Sequence, residues 1–498
     1  MIPTTTPRQN LKDGDKITVN IPENTNFNDL PGEGHTNAKS ISHREVLTEL
    51  LDKVKPVDFR KLAELDADKE LQKKHFLILV VDQLLELAIK HNWGLCRIDD
   101  FVYVFNGAYW YQLDPNELQF FLGRFAEKLG IDKFNARYYQ YKKAFYEQFL
   151  SDAFLPKPEA DRAKNLINLK NGTLEITSKG AILREHRRED FLTYQLPFSF
   201  APNADAPLWR QFLNRVLPDP ERQQILAEYL GYVFIKQTFL NLEKALLLYG
   251  SGANGKSVVF NVIKALLGEG NVTNYSLQSL TDETGYTRAK IVGKLVNYAS
   301  EINTDLESNR FKQLVSGEPI DARLPYRDPF IATDYTKLIF NCNRLPIAEQ
   351  TDAFFRRFLI IAFEVTIPEA EQDKQLAGKI IDRELPGVLN WVLEGMNRLL
   401  AQRRFSDCEA AKQAVEQYRR ESDSAQMFLE EKQLRPDPVQ WLTLNDLYSD
   451  YRSFCTDCGY TRPLNKTNLR KRFEELKIAT VRRGGGWLVF VKRQTIPD

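Results

Sequence analysis

Residues Gly250 to Ser257 read Gly-Ser-Gly-Ala-Asn-Gly-Lys-Ser and fit the pattern G-x-x-x-x-G-K-S of a phosphate-binding loop. The apolar run from Ala245 to Tyr249 comes directly before this octet and predicts a buried strand. A helical pattern follows it, with apolar residues on one side at Val258, Val259, Val262, Ile263, Leu266 and Leu267. Because strand, glycine-rich turn and helix occur in the order that phosphate binding requires, the sequence predicts an α/β nucleotide-binding core here.

The residue types within this loop suit a nucleoside triphosphate. Gly250, Gly252 and Gly255 can take φ > 0, which lets backbone N–H groups close around phosphate oxygens beside a helix N-terminus. Lys256 can bridge the β- and γ-phosphates, and the hydroxyl of Ser257 can ligate Mg²⁺. ATP and Mg²⁺ are therefore the expected cofactors. The residues predicted to bind ATP are Gly250, Ser251, Gly252, Ala253, Asn254, Gly255, Lys256 and Ser257.

Length and charge limit the remaining possibilities. The chain has 498 residues, 43% of them hydrophobic, and a formal charge of +1 from 68 Lys and Arg against 67 Asp and Glu. This length predicts about three domains. Because the charge is nearly balanced, any contact with nucleic acid must come from local basic patches. No apolar segment is long enough to span a bilayer and the N-terminus lacks a signal pattern, so we expect a cytoplasmic protein without a membrane partner.

Cysteine and histidine do not indicate a metal centre. Cys455 and Cys458 form a C-x-x-C motif, but no second cysteine or histidine pair follows at zinc spacing. The five histidines are isolated, and all of them precede the glycine-rich loop. The sequence therefore predicts neither a zinc site nor a histidine-based nucleophile triad.

Pattern and composition divide the chain into six parts. An α+β N-terminal region follows a polar arm, and a helical segment broken at Pro218 and Pro220 leads into the α/β core. Asn106-Gly107 and Asn171-Gly172 each predict a hairpin in the N-terminal region. The predicted boundaries are 1–40 for the arm, 41–200 for the α+β region, 201–244 for the helical segment, 245–405 for the core, 406–436 for a helical connector and 437–498 for a C-terminal domain.

Two polar positions at predicted strand ends are candidates for ATP hydrolysis. Leu295 to Glu301 reads as a strand that ends in an acid, and such an acid can face Mg²⁺ and polarise the attacking water. A second strand, from Lys337, ends at Asn341-Cys342-Asn343. An amide beside the nucleotide can orient the water, and Asn343 is the preferred residue with Asn341 as the alternative. A surface glutamate and a turn-forming asparagine would give the same patterns.

Basic residues appear in two further segments of the core. Arg356 and Arg357 precede a predicted strand, and in a ring of subunits such an arginine can reach the neighbour's γ-phosphate. Between the two polar strand ends, prolines and aromatic residues alternate with Arg323 and Arg327, which predicts a projecting hairpin that holds a DNA backbone. Tyr326 of that hairpin can stack on a base. A solvated basic pair and a proline-rich surface loop are the alternatives.

The C-terminal residues predict a winged-helix domain that binds DNA. Two helical patterns are followed by a hairpin whose tip is Gly484-Gly485-Gly486. From residue 441 to the end, eleven Lys and Arg face six Asp and Glu, so this part carries an excess of positive charge. A domain that docks protein, with solvated charges, is the alternative. The basic residues predicted to contact DNA are Lys466, Arg470, Lys471, Arg482 and Arg483.

Taken in order, these motifs resemble the superfamily 3 helicases, and in particular the helicase half of phage, plasmid and poxvirus primase-helicases. The resemblance extends upstream of the core and covers roughly residues 100–490. Its motifs are the octet at Gly250–Ser257, the strand ending at Glu301, Ser-Gly-Glu-Pro-Ile-Asp-Ala-Arg at Ser316–Arg323, Asn-x-x-Pro at Asn343–Pro346, Arg356-Arg357, and the upstream segments Asn168–Leu174 and Leu226–Tyr232.

The resemblance implies an AAA+-like core, hexameric rings and ATP-driven movement along DNA, usually from 3′ to 5′. Lys256 and Ser257 match the Walker A pair, Glu301 the Walker B acid and Asn343 the sensor. Arg357 matches the arginine finger, with Arg356 as the alternative. The segment with Arg323, Tyr326 and Arg327 matches the hairpin that lines the DNA channel of the family.

The sequence departs from the family pattern in two places. Many members carry paired acids in Walker B, whereas here the pair is Ser300-Glu301, so Mg²⁺ would rely on Ser257 and water, with Asp305 as a possible helper. Members with a primase domain need clustered metal-binding acids, and Asp99-Asp100 alone does not supply them. We therefore expect no primase active site in this chain.

The expected function is that of a ring-forming, ATP-dependent DNA helicase for replication of a phage, plasmid or other mobile element. Its expected partners are single-stranded and forked DNA, further copies of the chain and a separate primase. An initiator or loader that uses ATP as an assembly switch without unwinding is the main alternative. A small-molecule P-loop kinase is a third hypothesis, but such an enzyme would have no use for a basic C-terminal domain.

Overall fold

The structure, a computed structural model, begins with a mainly helical region. It describes residues 42–66, 68–98, 101–153, 165–177, 180–299, 308–325, 327–343, 351–460 and 463–493, so the predicted arm lies outside the described residues. The first six helices, α1 to α6, span His43–Lys53, Phe59–Leu62, Lys73–Lys90, Pro115–Leu129, Lys133–Arg137 and Tyr139–Asp152. Helix α4 starts where the Asp114 side chain accepts hydrogen bonds from two backbone N–H groups, and it ends at Gly130 with φ +113°.

Two antiparallel sheets complete the N-terminal region. Both predicted hairpins are confirmed, and each carries a third strand. Asn106 caps the first turn, because its side-chain oxygen accepts from the N–H groups of Ala108 and Tyr109, each at 3.0 Å. Asn168 joins the two sheets through a 2.8 Å hydrogen bond to the carbonyl of Ala108. The strands β1 to β6 span Gly94–Ile98, Phe101–Phe105, Trp110–Gln112, Asn165–Leu169, Gly172–Thr177 and Gly180–Arg184.

A five-stranded parallel sheet forms the centre of the molecule. Two helices, α7 (Pro207–Val216) and α8 (Pro220–Tyr232), precede it and are separated at Pro218, as predicted. Its strands are β7 (Ala245–Tyr249), β8 (Val272–Thr273), β9 (Val296–Ala299), β12 (Lys337–Cys342) and β13 (Phe358–Ala362). They lie in the order β13-β7-β12-β9-β8, so β7 is flanked on both sides and its carboxyl end is a topological switch point.

The remaining elements of the core connect these strands or cover them. Strands β10 and β11 form a two-stranded antiparallel hairpin between α12 and β12, as the sequence predicts. The connecting elements are α9 (Lys256–Leu267), α10 (Leu277–Thr281), α11 (Tyr286–Ala289), α12 (Ser308–Ser316), β10 (Ile320–Arg323), β11 (Pro329–Ala332) and α13 (Asp352–Phe355), and the helices that follow β13 are α14 (Leu376–Arg383), α15 (Leu385–Gln402) and α16 (Glu409–Ser422).

Both faces of the parallel sheet are covered, which explains the unbroken apolar run in β7. Leu246 and Leu248 belong to a core shared with α7, α8, α9 and α15. Leu247 points to the other face, where it joins a core with residues of α12, α13 and α16. Among the residues placed by the structure, no helix combines the length and apolar character that crossing a membrane requires.

The C-terminal residues form their own core, and it starts earlier than predicted. Phe428 of α17 (Ser424–Glu431) packs against Tyr451 and Phe454, so α17 belongs with the residues that follow it. The predicted boundary at residue 437 therefore falls inside this unit. Its other elements are β14 (Leu434–Pro436), β15 (Leu442–Thr443), α18 (Leu444–Asp457), α19 (Lys466–Glu475), β16 (Thr480–Arg483), β17 (Gly486–Val489) and β18 (Val491–Arg493).

Candidate functional site

The octet Gly250–Ser257, here called the glycine loop, joins β7 to α9 and needs its glycines for two different reasons. Gly252 and Gly255 have φ of +113° and +88°, and Ala253 between them is also left-handed at +50°. Gly250 is required by space, since a Cβ there would lie 2.5 Å from the carbonyl oxygen of Phe363. Left-handed residues in a turn that leads into a helix N-terminus are a backbone pattern with which proteins bind anions.

Lys256 is held inside the loop by neutral acceptors. Its side chain is 7% exposed, and its amine donates to the carbonyl of Gly250 and, at 3.1 Å, to Oδ1 of Asn254. Asn254 is itself fixed by a 3.1 Å hydrogen bond to the carbonyl of Phe363. Burial lowers the pKa of Lys256 from its ordinary value. An ammonium held by neutral acceptors such as these gains more from a phosphate than from them.

Asn343 follows the neighbouring strand at the same edge. The last residues of β7 and β12, Tyr249 and Cys342, are paired in register, and the N–H of Gly250 donates to the Cys342 carbonyl at 3.1 Å. Asn343 is therefore next to the loop, and its side chain is exposed. Asn341, the alternative drawn from the sequence, is buried and accepts a 3.0 Å hydrogen bond from Tyr298. The placement thus favours Asn343 as the residue that can meet a ligand.

The predicted acid Glu301, with Ser300 and Asp305, lies outside the described residues. Strand β9, which ends at Ala299, runs parallel to β12, so its carboxyl end faces the same edge as the glycine loop. Ser257 stands in the first turn of α9 and is exposed. Within the part of the chain that the structure places, no three His, Cys, Asp or Glu side chains gather as a metal site. The described residues therefore fit a triphosphate, and of the two predicted magnesium ligands the structure describes Ser257.

The two predicted finger arginines differ sharply in their surroundings. Arg357 is buried, donates to Oγ of Ser316 at 2.9 Å and to the carbonyl of Ala353, and lies 3.6 Å from a carboxylate oxygen of Glu243. Arg356 is exposed. The buried network holds Arg357 within its own subunit, which argues against the sequence preference for Arg357 and in favour of Arg356.

Both arginines lie at the amino edge of the sheet, opposite the glycine loop. Phe358, the first residue of β13, pairs with Ala245, and Ala362 pairs with Tyr249 at the other end. A five-residue strand separates the arginines from the loop of the same subunit by about 16 Å. If either arginine acts on bound nucleotide, that nucleotide belongs to another subunit.

The β10–β11 hairpin carries the predicted DNA contacts of the core. Arg323 is exposed, its Nε donates to the carbonyl of Arg327 at 3.3 Å, and its guanidinium lies 5.9 Å from the centre of the Tyr286 ring. Arg327 is half-buried. Tyr326 lies outside the described residues. The two arginines are thus at the turn end of the hairpin and close to each other.

Arg288 at the base of this hairpin was not identified from the sequence. It is fully buried and donates to the carbonyl and to the carboxylate of Asp321 in β10. It also donates to the carbonyls of Leu280 and Asp282, at 3.2 and 2.6 Å. Arg288 therefore fastens the hairpin to the loop after α10. A single arginine in a short helical pattern gives no signal of this role.

The basic residues of the C-terminal unit fall into two groups. Lys471, Arg482 and Arg483 are exposed, the first on α19 and the other two on β16. Lys466 donates to Oδ1 of Asn445, and Arg470 pairs with Glu474 while its guanidinium lies 4.1 Å from the ring centre of Trp487. The two helices and the glycine-tipped hairpin that the sequence predicts are present, and β15, β17 and β16 form a small antiparallel sheet. Lys466 is exposed as well, so four of the five predicted contacts are open to a phosphate backbone.

Comparisons with known proteins match two parts of the chain. A family model described as "D5 N terminal like" matches residues 82–218, and one described as a family of unknown function, DUF5906, matches residues 248–357. The first runs from the second half of α3 through both N-terminal sheets to the end of α7, and the second covers the glycine loop, the hairpin and the arginines. The first match supports a relationship with the phage-type primase-helicases that the sequence resembles.

Among solved structures, the chain is similar to the C-terminal region of NrS-1. The A-form apo structure of that region matches at a TM-score of 0.47 with 12% sequence identity, over 83% of this chain and 99% of the other. A second apo structure of the same region matches at 0.46 with 12% identity, over 84% of this chain and 99% of the other.

Proposed function

We propose that this protein is an ATP-dependent DNA helicase that acts as a ring in the replication of a phage, plasmid or other mobile element, with an AAA+-like core of superfamily 3 and without its own primase active site. The observation that supports this most strongly is the division of the sheet. The nucleotide-binding features lie at one edge, and an exposed arginine lies at the other. A core of this kind completes its site only when a second subunit is present.

The residues of the carboxyl edge bind and orient ATP. The backbone of the glycine loop and the N-terminus of α9 hold the phosphates, and Lys256 exchanges its neutral acceptors for phosphate oxygens. The amide of Asn343 accepts a hydrogen bond from the attacking water or donates one to it. Ser257 and Glu301 would hold Mg²⁺, in part through water, and the bound ion would supply charge neutralisation on the phosphates.

The arginine finger comes from the neighbouring subunit, and Arg356 is the proposed residue. Its exposure leaves the guanidinium free to cross a subunit boundary, whereas Arg357 orders the start of β13 from within. A cation placed this way stabilises charge on the γ-phosphate as the bond breaks. Hydrolysis then depends on assembly, and a hexameric ring is the proposed form.

DNA is bound at two places. The β10–β11 hairpin, with Arg323, Tyr326 and Arg327, contacts the strand in the central channel. The C-terminal unit is proposed to be a winged helix that contacts duplex DNA through Lys471, Arg482 and Arg483, with Lys466 and Arg470 beside them. Each arginine or lysine that meets a phosphate adds to the salt dependence of binding.

A strand-displacement assay on a forked duplex tests the proposal. The intact protein with ATP and Mg²⁺ should release the labelled strand, and Arg323→Ala should lose displacement while its ATPase activity without DNA is kept. Arg452→Gln is a matched control, because Arg452 is an exposed arginine on α18, away from the hairpin. An intact protein that hydrolyses ATP and binds the fork but displaces no strand would instead favour the ATP-switched initiator or loader.

A further inference from the structure

The corner formed by α4, α5 and α6 exposes a concentration of aromatic side chains. Of the seven exposed aromatic residues in the described part of the chain, four lie here, namely Phe120 at 60% exposure, Phe134 at 75%, Tyr138 at 48% and Tyr139 at 64%. The core beneath them is filled by other aromatic residues, among them Phe121, Phe125, Phe145 and Phe149. The four exposed rings therefore carry apolar surface that the N-terminal region does not need for its own folding.

The three helices that carry these side chains pack closely together. Gly123 of α4 lies against the next two helices, since a Cβ there would be 2.9 Å from the carbonyl oxygen of Ala136 and 3.0 Å from the side chain of Lys142. One turn later, Glu127 receives two hydrogen bonds from Arg137, at 2.8 and 2.7 Å. Phe120 is on the same side of α4 as these contacts, at the i−3 position from Gly123. The helix that carries Phe120 is thus held against the helices that carry the other three rings.

The charge around the rings is positive. Residues 120–143 contain six Lys and Arg but only two Asp and Glu. Both acids are engaged, because Glu127 binds Arg137 and the carboxylate of Asp132 accepts from the first N–H groups of α5. Two cations lie over exposed rings, with Arg124 5.8 Å from the centre of Phe120 and Lys133 5.0 Å from the centre of Phe134. The surface therefore suits an anionic partner that also has flat apolar groups.

We propose that this surface, called the aromatic platform and made of Phe120, Arg124, Lys133, Phe134, Tyr138 and Tyr139, binds single-stranded nucleic acid. Bases stack on the rings and phosphates meet the flanking cations, which is how proteins hold single strands without sequence preference. Lysine is depleted in the cores of protein interfaces, so its position among these rings favours nucleic acid over a protein partner. The platform needs neither ATP nor hydrolysis, and it goes beyond the helicase proposal.

Binding measurements on the full chain test the platform. Fluorescence anisotropy with labelled oligo(dT) and oligo(rU) of about 16 nucleotides, without nucleotide, compares the wild type with the double variant Phe134→Ala and Tyr139→Ala. We expect the double variant to bind at least one of the two oligomers about fivefold to tenfold more weakly, at the lower end of what stacked bases contribute. Replacing the same two residues with Trp should restore affinity.

Tyr111→Ala is the matched control, because Tyr111 is an aromatic residue of the same region with 50% exposure and lies outside the platform. It should bind like the wild type. Wild-type affinity of the double alanine variant for both oligomers would overturn the proposal. The Trp variant separates a stacking role from a loss of fold.

Photochemical cross-linking locates the contact directly. An oligo(dT) carrying 5-bromodeoxyuridine should cross-link on irradiation to a peptide containing Phe134, Tyr138 or Tyr139. Cross-links confined to the β10–β11 hairpin and the C-terminal unit would contradict the platform. Lys256→Ala should keep the platform cross-link, so a protein that binds here but fails to hydrolyse ATP or unwind DNA would disprove the helicase and leave this proposal standing.

Discussion

The two edges of the parallel sheet are built in opposite ways. At the carboxyl edge, the partners of Lys256 among the residues that the structure describes are neutral, and Asn343 is exposed. At the amino edge, Arg357 is buried in hydrogen bonds with Ser316, and Lys337 lies 4.0 Å from the ring centre of Tyr232. Only Arg356, of the arginine pair there, is exposed.

This contrast separates a cation that is proposed to bind a ligand from cations that affect the stability of the fold. Lys256 is held by neutral partners that an anion can replace. Arg357 satisfies buried acceptors, so removing it destabilises the fold, whereas burial of the Lys337 ammonium costs stability. Variants at the two edges should therefore differ from the wild type in different ways, one set in chemistry and the other in stability.

The largest effect is expected for Lys256→Ala at the carboxyl edge. The variant loses both phosphate binding and stabilisation of the transferred charge, so ATP hydrolysis should fall by more than about 10³-fold, as measured by phosphate release. Ser251→Ala, in the exposed part of the same loop, should stay within a few-fold of the wild type. Substantial hydrolysis by Lys256→Ala would show that the glycine loop takes no part in the reaction.

At the amino edge, Arg356→Ala should lower hydrolysis by about 10³-fold while leaving ATP affinity and the thermal midpoint nearly unchanged. Arg357→Ala should instead destabilise the protein by about 1–3 kcal/mol, because it breaks the buried network with Ser316. Urea unfolding and nucleotide binding distinguish the two. The comparison breaks down if Arg357→Ala is as stable as the wild type and Arg356→Ala hydrolyses ATP normally.

Mixing subunits sharpens the same comparison. Arg356→Ala subunits retain Lys256, and Lys256→Ala subunits retain Arg356, so a mixed ring contains some complete sites. Hydrolysis by the mixture should exceed that of either variant alone. A mixture that recovers nothing would show that the two edges do not meet across subunits.

Lys337→Met should stabilise the protein and flatten its pH dependence. Burial lowers the pKa of Lys337 to about 7, partly opposed by the charge of Asp334, while an unfolded lysine titrates near ~10.4. Between these values the unfolded chain binds more protons, so the free energy of unfolding of the wild type rises with pH from about 7 to about 10.

The Met variant lacks that rise and should be more stable at pH 7 by about 1–4 kcal/mol. Urea unfolding at pH 7, 8 and 9 measures both effects. Lys374→Met, at an exposed lysine, should change neither the stability at pH 7 nor its dependence on pH. A wild-type stability that is flat over this range would mean that Lys337 stays protonated in the folded protein.

The smallest effects are expected for the two asparagines beside the loop. Asn343→Ala should slow hydrolysis by about tenfold without a change in stability, since the side chain is exposed and its role is to orient water. Asn341→Ala should cost about 1 kcal/mol of stability because Tyr298 loses its hydrogen-bond acceptor. Equal effects of the two variants on both measurements would contradict the separate roles.

Local patterns predicted the parts of this fold that depend on neighbours in the chain. The strand at Ala245–Tyr249, the helix from Lys256 and the hairpin at Ile320–Ala332 follow from apolar runs, glycines and prolines, and the structure confirms them. The placement of Asn343 beside the loop also followed, because parallel strands end at a common edge. These inferences need only periodicity and strand direction.

The burial of individual cations could not be predicted in this way. Arg356 and Arg357 are adjacent in the chain, but Arg357 is enclosed by tertiary contacts such as its hydrogen bond to Oγ of Ser316, a residue distant in the chain. Arg288 is buried and paired with Asp321, and no local sequence pattern predicts that pair. Whether a cation is exposed or enclosed depends on tertiary contacts. The preference for Arg356 as the finger and the role of Arg288 in holding the hairpin therefore came only from the structure.

Helix α16 determines where a truncated fragment of the protein can end. Its Tyr418 packs against Phe355 and Phe358, on either side of the two arginines, and Arg419 lies 2.9 Å from Asp352. The same helix is followed directly by Asp423, which caps α17 and binds Arg472 of the C-terminal unit at 2.7 Å. A fragment ending near residue 405 would lack Tyr418 and expose Phe355 and Phe358 beside the two arginines. A fragment ending after Ser422 would keep these aromatic contacts.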